Sequence, residues 1–178
     1  VPFPSTCKGA PFKFSITLPY QPIKIDWKFN NTNGNLKDAN GNIAASPMST
    51  GGPNNGTVNT NWPGAYADVH NHPSNKEPSE GDLYGIIGLS VSNVGWNTRM
   101  VSNKNDEMYA LAVLDTAAAK IFRNNSFIIN PTYGPILKDE IMTEYQNVSL
   151  YFQQQQYSKL YSDERALAYI LDKYNTGV

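Results

Sequence analysis

The two histidines of the chain lie one residue apart, as His70 and His72, in the stretch ADVHNHPSNKEPSEGD. Side chains at positions i and i+2 of a β-strand point to the same face, so a strand would present both imidazoles side by side. Pro73 would end that strand, and Asp82 would fall in the first turn of a helix that begins near Ser79. Two imidazoles and one carboxylate, with a fourth position left for water, form the ligand set of a catalytic zinc site. The sequence therefore predicts that His70, His72 and Asp82 bind Zn²⁺.

Each half of this motif also has a simpler explanation. Two histidines in a strand occur by chance, and Ser79-x-x-Asp82 matches a capping box, in which side chains satisfy backbone groups at a helix start. Residues 68–72 also match D-x-H-x-H, the opening signature of metal-dependent phosphoesterases and amidohydrolases. Those enzymes need further downstream histidines, and none follows His72. The combination of strand, proline and helix start favours the zinc interpretation.

The first part of the chain is predicted to contain strands and turns. Residues 1–11 are rich in Pro and Gly, which indicates an extended arm. Residues 30–64 form a long Asn/Gly-rich loop region, in which NLKDANGNIAAS is a candidate hairpin because Asn-Gly pairs favour tight turns. Apolar and polar residues alternate with the strand period in two segments, 12–18 and 23–29, and a third strand is predicted over 64–72.

The second part is predicted to contain more helix. A helix is predicted to run from about Ser79 through EGDLYGIIGLSVS. The apolar run 108–115 is predicted to be a buried strand, with 117–123 as its hairpin partner across a turn at Asp115 and Thr116.

Two further helices are predicted over 138–158 and 162–175, with Ser162 as N-cap and Gly177 just beyond the last turn. The element order predicts one domain over residues 1–178. Its class is α/β (α+β), with a mainly antiparallel sheet flanked by helices.

Composition excludes several classes of protein and partner. A net charge of −1 and a pI near 6.1 argue against a nucleic-acid partner. No apolar run approaches the roughly 20 residues of a membrane span. The single Cys7 excludes an internal disulfide and a cysteine-rich zinc site. A charged fraction of only 16% together with 21 Asn residues favours a secreted or exported bacterial protein, with a cytoplasmic location as the alternative.

The stretch HNHPSNKEPSEGD resembles the JAMM motif, H-x-H-P followed by S-x-x-D, of the JAB1/MPN metallopeptidase superfamily. HNHPS is closest to the RadC-like branch, and residues 64–125 more loosely resemble JAB-like domains of bacterial secreted and polymorphic-toxin proteins. The resemblance implies a sheet flanked by helices, similar to cytidine deaminases. It also implies a zinc-dependent hydrolase of amide or isopeptide bonds that acts on a protein or peptide and belongs to a larger exported chain.

Residue by residue, the resemblance implies that His70, His72 and Asp82 ligate zinc and that Ser79 stabilises the oxyanion of the tetrahedral intermediate. Active members of the superfamily take their general base from a glutamate on an earlier strand. No glutamate precedes Glu77 in this chain.

Two aspartates are candidates for the missing base. Asp26 lies within the predicted strand 23–29, near the position of the family's glutamate strand, although its side chain is one methylene shorter. Asp68 shares the face of His70 and His72 and is also a candidate for orienting an imidazole from behind. The alternative hypothesis is a catalytically inactive JAB-like module for binding or assembly.

Overall fold

The computed structural model describes residues 67–72, 75–92, 95–105 and 107–178, together with two short strands nearer the N-terminus. These strands, β1 (Asn35–Lys37) and β2 (Ile43–Ala45), pair antiparallel and confirm the hairpin predicted within NLKDANGNIAAS. The other predictions for residues 1–66, including the arm, the strands at 12–18 and 23–29 and the position of Asp26, lie outside the described residues.

His70 lies on the first strand of a three-stranded sheet in the order β3 (Ala67–Asn71), β4 (Thr98–Ser102), β5 (Met108–Ala112). His72 directly follows β3, and its backbone N–H donates to the Ser102 oxygen at 2.7 Å. The pairing of β3 with β4 is parallel, and that of β4 with β5 is antiparallel. Three of the four described strand pairings are antiparallel, as predicted, and the β3–β4 pairing is the parallel exception. A helix connects β3 to β4, and such a crossover brings the second strand in parallel to the first.

Helix α1 (Glu80–Ser92) provides this crossover, where the sequence predicted a helix. Three apolar residues of α1 are completely buried and are spaced to lie on one helix face: Leu83, Ile86 and Ile87. They hold the helix against the protein interior in spite of its glycines.

The predicted strand at 117–123 is wrong, because this segment lies in helix α2 (Thr116–Ser126). The expected turn at Asp115 is the helix N-cap, whose side chain accepts hydrogen bonds from the backbone of Ala117 and Ala118. Three consecutive alanines favour helix, and Ala119 and Phe122 bury at helical spacing. Capping and helix propensity therefore outweigh the apolar content that suggested a strand.

Helix α2 leads into a hairpin that the sequence did not reveal, β6 (Phe127–Asn130) and β7 (Gly134–Leu137). Gly134 has a φ of 79°, which favours glycine at this end of the hairpin. The two predicted C-terminal helices are present as α3 (Asp139–Gln154) and α4 (Lys159–Lys173).

The ends of α4 differ from the prediction. Its N-cap is Ser158, whose side chain accepts from the backbone of Tyr161, and Ser162 is buried one turn inside the helix. Asn175, with a φ of 45°, follows the C-terminal cap of the helix. Gly177 instead accepts hydrogen bonds from the backbone N–H groups of Leu114 and Asp115 and so joins the C-terminus to the start of α2.

The three-stranded sheet shares one hydrophobic core with helices α1, α2 and α4. The buried members of this core include Leu83, Trp96, Leu111, Phe122 and Ile170. The described part of the chain is thus a mixed α and β domain, as the α+β prediction required. Within it, no helix combines the length and apolar character that crossing a bilayer demands.

Candidate metal centre

Strand β3 brings the two histidines together as their spacing predicted. Their Nε2 atoms face each other at 3.3 Å, and the ring centroids lie 5.2 Å apart. The side chains are 13% and 18% exposed, so both imidazoles are largely sheltered from solvent. The edge of each imidazole that can bind a metal therefore points into the same small volume.

Helix α1 supplies the third side chain from its first turn. Asp82 Oδ1 lies 2.8 Å from His70 Nε2, and Asp82 Oδ2 lies 3.1 Å from His72 Nε2. Asp82 is buried. The ligand atoms of the three residues all lie within 4.8 Å of one another. The structure thus assembles the His70, His72 and Asp82 cluster that the sequence predicted.

The separation of the two imidazole nitrogens fits a tetrahedral ion. For zinc bonds of about 2.0–2.1 Å, two ligand atoms of a tetrahedron are separated by about 3.3 Å. The two Nε2 atoms are 3.3 Å apart. The carboxylate lies beside both of them through different oxygens, with Oδ1 near His70 and Oδ2 near His72. The donor set of two imidazoles and one carboxylate is also one that zinc accepts.

Electrostatics keep Asp82 in the form that a metal requires. Burial acts to raise the pKa of Asp82, but hydrogen bonds with His70, His72 and Ser79 and the charge of His70 outweigh it and hold that pKa well below its usual range. Asp82 is therefore a carboxylate at neutral pH. A cation at this position takes over the role of neutralising that charge.

Ser79 and Asp82 form the capping box that their spacing suggested. The Ser79 hydroxyl donates to Asp82 Oδ2 at 2.6 Å, and the Ser79 backbone N–H donates to the same oxygen at 2.7 Å. The Asp82 N–H in turn donates to Ser79 Oγ at 3.2 Å. The cap and the metal site share one carboxylate, so the helix-start and metal-site interpretations of this motif are compatible.

Asp68 has a different role from the one predicted. It shares the histidine face, but its hydrogen bonds go to Arg99, from Nε to Oδ1 and from Nη2 to Oδ2, both at 2.8 Å, and not to an imidazole. Asp68 is completely buried. With both oxygens engaged and no solvent access, its carboxylate is poorly suited to act as a general base.

Arg99 is a component of the site that sequence reasoning missed. It is paired in register with Asp68 across β3 and β4, is 8% exposed, and its Nη1 donates to the backbone oxygen of Asp82 at 3.3 Å. Buried and half-buried residues alternate over Thr98–Ser102 in the structure. The sequence TRMVS does not alternate apolar and polar residues, so it carried no clear strand signal.

The start of α1 and the segment before it are held by strand β7 and helix α3. The Tyr145 hydroxyl donates to Glu77 at 2.7 Å, and the Leu137 backbone N–H donates to the Glu80 carboxylate. Burial, and then the hydrogen bond to Glu77, raise the pKa of Tyr145. These contacts fix the position of the helix start that carries Ser79 and Asp82.

The other ring nitrogen of His70, Nδ1, is buried and makes no hydrogen bond to the residues that the structure describes. When Nε2 binds a metal, Nδ1 carries the ring proton and normally donates it to an acceptor behind the ligand.

The chain was compared with protein-family models, with curated proteins and with solved structures, and none of the three comparisons found a match. The chemistry of the site is therefore inferred from its own residues. Its three converging ligands suit a divalent cation, and the adjacent Ser79 hydroxyl adds a hydrogen-bond donor beside the ion position.

Proposed function

We propose that this protein is a zinc-dependent hydrolase of amide or isopeptide bonds, of the JAB1/MPN type, with His70, His72 and Asp82 as the zinc ligands. The observation that carries the proposal is the convergence of these ligand atoms within 4.8 Å of one another, with the two imidazole nitrogens 3.3 Å apart. The S-x-x-D capping box beside them adds the serine that the JAMM motif requires.

Each residue has a defined task in this proposal. Zinc supplies Lewis acidity, which polarises a scissile carbonyl and makes an attacking water more acidic. His70, His72 and Asp82 would hold the ion through two imidazole nitrogens and a carboxylate. Ser79 is exposed, and its hydroxyl turns from Asp82 toward the oxyanion that develops on the scissile carbonyl.

The general base is proposed to be Asp26, because Asp68 is engaged by Arg99 on both oxygens. The proposed substrate is a protein or peptide, and the proposed location is outside a bacterial cell, as part of a larger exported chain. These last points rest on the sequence resemblance and on composition.

The proposal is tested first by zinc content and then by hydrolysis. We expect about one zinc per chain after purification from zinc-supplemented medium, and cleavage of a lysine-linked isopeptide. Asp82→Asn should lose both. Asp139→Asn is the matched control, because Asp139 also lies in the first turn of a helix but is exposed and remote from the histidines in sequence. Wild-type protein without bound divalent metal would overturn the proposal.

The second candidate is a zinc-binding JAB-like module without hydrolase activity. It is favoured by the burial of Asp68, which removes one of two candidate bases. Stoichiometric zinc together with no cleavage of isopeptide or peptide substrates would support this second function over the first.

A further inference from the structure

The Asp68–Arg99 ion pair lies directly behind the three metal-binding side chains and joins the elements that carry them. Asp68 is on the histidine strand, two residues before His70, and Arg99 is its register partner on β4. The two 2.8 Å hydrogen bonds of the pair hold the guanidinium in one orientation. In that orientation the third nitrogen, Nη1, reaches Asp82 on α1.

The geometry of the metal centre depends on how α1 sits against β3. His70 comes from β3 and His72 from the residue just after it, whereas Asp82 comes from α1. A small displacement of α1 therefore moves Asp82 relative to the two histidines. Arg99 Nη1 donates to the Asp82 backbone oxygen at 3.3 Å and lies 3.9 Å from its Oδ1. The guanidinium is thus a direct link from the sheet to the residue that completes the site.

Gly85 makes this link sterically possible. A methyl group added at Gly85 would lie 2.5 Å from Arg99 Nη1, which is closer than two such atoms can approach. One turn later, a methyl group at Gly88 would meet Arg123 at an ordinary 3.4 Å. Arg123 packs over the ring of Tyr84 at 3.9 Å. Gly85 and Gly88 therefore each accommodate an arginine, but of the two arginines only Arg99 contacts a proposed metal ligand.

We propose that Arg99, oriented by Asp68 and accommodated by Gly85, is a positioning residue that sets the zinc affinity by placing Asp82. The proposal rests on the zinc site of the proposed function. Groups behind metal ligands commonly change metal affinity by 10- to 100-fold when they are removed. A pair that served only to stabilise the fold would change the unfolding transition and leave the zinc dissociation constant of the folded protein unchanged.

The first experiment compares Gly85→Ala with Gly88→Ala. Both substitutions replace glycine by a better helix former, and both keep every charge in the protein. The zinc dissociation constant is measured by competition with a chromophoric chelator, and stability is measured by urea unfolding of the metal-free protein. We expect Gly85→Ala to raise the zinc dissociation constant at least about 10-fold, and Gly88→Ala to leave it within about twofold.

The second experiment removes the pair without leaving a lone buried charge. The double variant Asp68→Leu/Arg99→Met keeps similar volume, and such replacements of a buried ion pair are often tolerated. Far-UV circular dichroism and the emission of the three tryptophans, among them the buried Trp96, report whether the variant is folded. We expect the folded double variant to bind zinc at least about 10-fold more weakly, Arg99→Lys to be intermediate, and the control Arg123→Met to match wild type.

The outcomes separate this proposal from the function on which it rests. If wild type binds no zinc, the proposed function fails and the positioning role fails with it. If wild type binds zinc and both the Gly85→Ala protein and the double variant bind it equally tightly, the metal site stands and the positioning role of Arg99 is refuted.

Discussion

The Ser79 hydroxyl donates a 2.6 Å hydrogen bond to Oδ2 of Asp82, a carboxylate that also faces both imidazoles. One side chain therefore caps helix α1 and touches a proposed metal ligand. In the proposed reaction the same hydroxyl is the donor to the developing oxyanion. The capping and catalytic roles of Ser79 can be separated experimentally, because they predict different effects on stability and on turnover.

We predict that Ser79→Ala costs about 1 kcal/mol of stability through loss of the cap. We also predict that it lowers kcat about 10²-fold or more, because one oxyanion donor is lost. Zinc content should be retained, since Ser79 is not a ligand. Urea unfolding, steady-state kinetics and elemental analysis measure the three quantities.

Ser158→Ala is the matched control for this prediction. Ser158 caps α4 by accepting from the Tyr161 backbone, away from the histidines in sequence. It should lose a similar amount of stability and keep full activity. Equal turnover by Ser79→Ala and wild-type protein would remove Ser79 from the reaction and leave it as a cap alone.

The sequence predicted that His70, His72 and Asp82 would lie together, because their placement depends on local rules. The i and i+2 geometry of a strand places His70 beside His72, and a capping box places Asp82 in a first helical turn. Both rules act over a few residues. The histidines and Asp82 then come together because α1 closely follows β3 in the chain.

The supporting residues could not be predicted in the same way because they depend on tertiary pairing. Arg99 reaches the site only because β4 pairs parallel to β3, which places Arg99 in register with Asp68. Because β4 was not predicted, Asp68 was a candidate general base or a candidate for orienting an imidazole, and its pairing with Arg99 was missed. The strand predicted at 117–123 failed for a related reason, because the Asp115 cap and the burial of Ala119 and Phe122 favour helix α2 there.

A second prediction concerns pH and the Tyr145–Glu77 hydrogen bond. Burial and this bond raise the folded-state pKa of Tyr145 above its unfolded value of about 10. Its contribution to stability is therefore fully present below pH 10 and is lost as the pH rises, because the unfolded tyrosine ionises first. The wild type should lose stability above pH 10 more steeply than Tyr145→Phe.

Urea unfolding at pH 8 and pH 11 tests the direction of this change in stability with pH. At pH 8 we expect Tyr145→Phe to be less stable by about 1–2 kcal/mol, because a hydrogen bond to a carboxylate is lost. At pH 11 the difference should shrink. Tyr133→Phe, at a side chain that is 79% exposed, is the control and should change stability little at either pH. A gap that stays constant or widens would contradict the prediction.

A third prediction concerns Gly177, which joins the C-terminus to the start of α2. Its φ is 71°, and an added Cβ would lie 2.2 Å from the Asp115 backbone oxygen. Backbone atoms cannot move aside as a side chain can. Gly177→Ala should therefore destabilise the protein by about 2–3 kcal/mol or more, from strain and steric overlap together.

Gly134→Ala separates the two causes. Gly134 has a φ of 79°, but an added Cβ there would meet nothing within 4 Å. It should cost only the conformational strain, about 1 kcal/mol. Thermal or urea unfolding of the two variants measures the difference, and equal losses would show that the contact with Asp115 is unimportant.

The last prediction concerns the general base. Hydrolysis requires a carboxylate that takes a proton from the attacking water and passes it to the leaving amine. Asp68 is completely buried and bound through both oxygens to Arg99. The remaining candidate from the sequence is Asp26, whose predicted strand matches the position of the glutamate strand in active JAMM proteins.

We therefore predict that Asp26→Asn lowers kcat about 10²- to 10⁴-fold while zinc content and stability change little. Asp26→Glu should keep measurable activity, because it restores a carboxylate of the length that the family uses. Asp38→Asn, the other aspartate upstream of Asp68, is the matched control and should retain wild-type turnover. Full activity of Asp26→Asn would exclude Asp26 as the base. Activity lost equally in Asp26→Asn and Asp38→Asn would point instead to a general effect of altering this part of the chain.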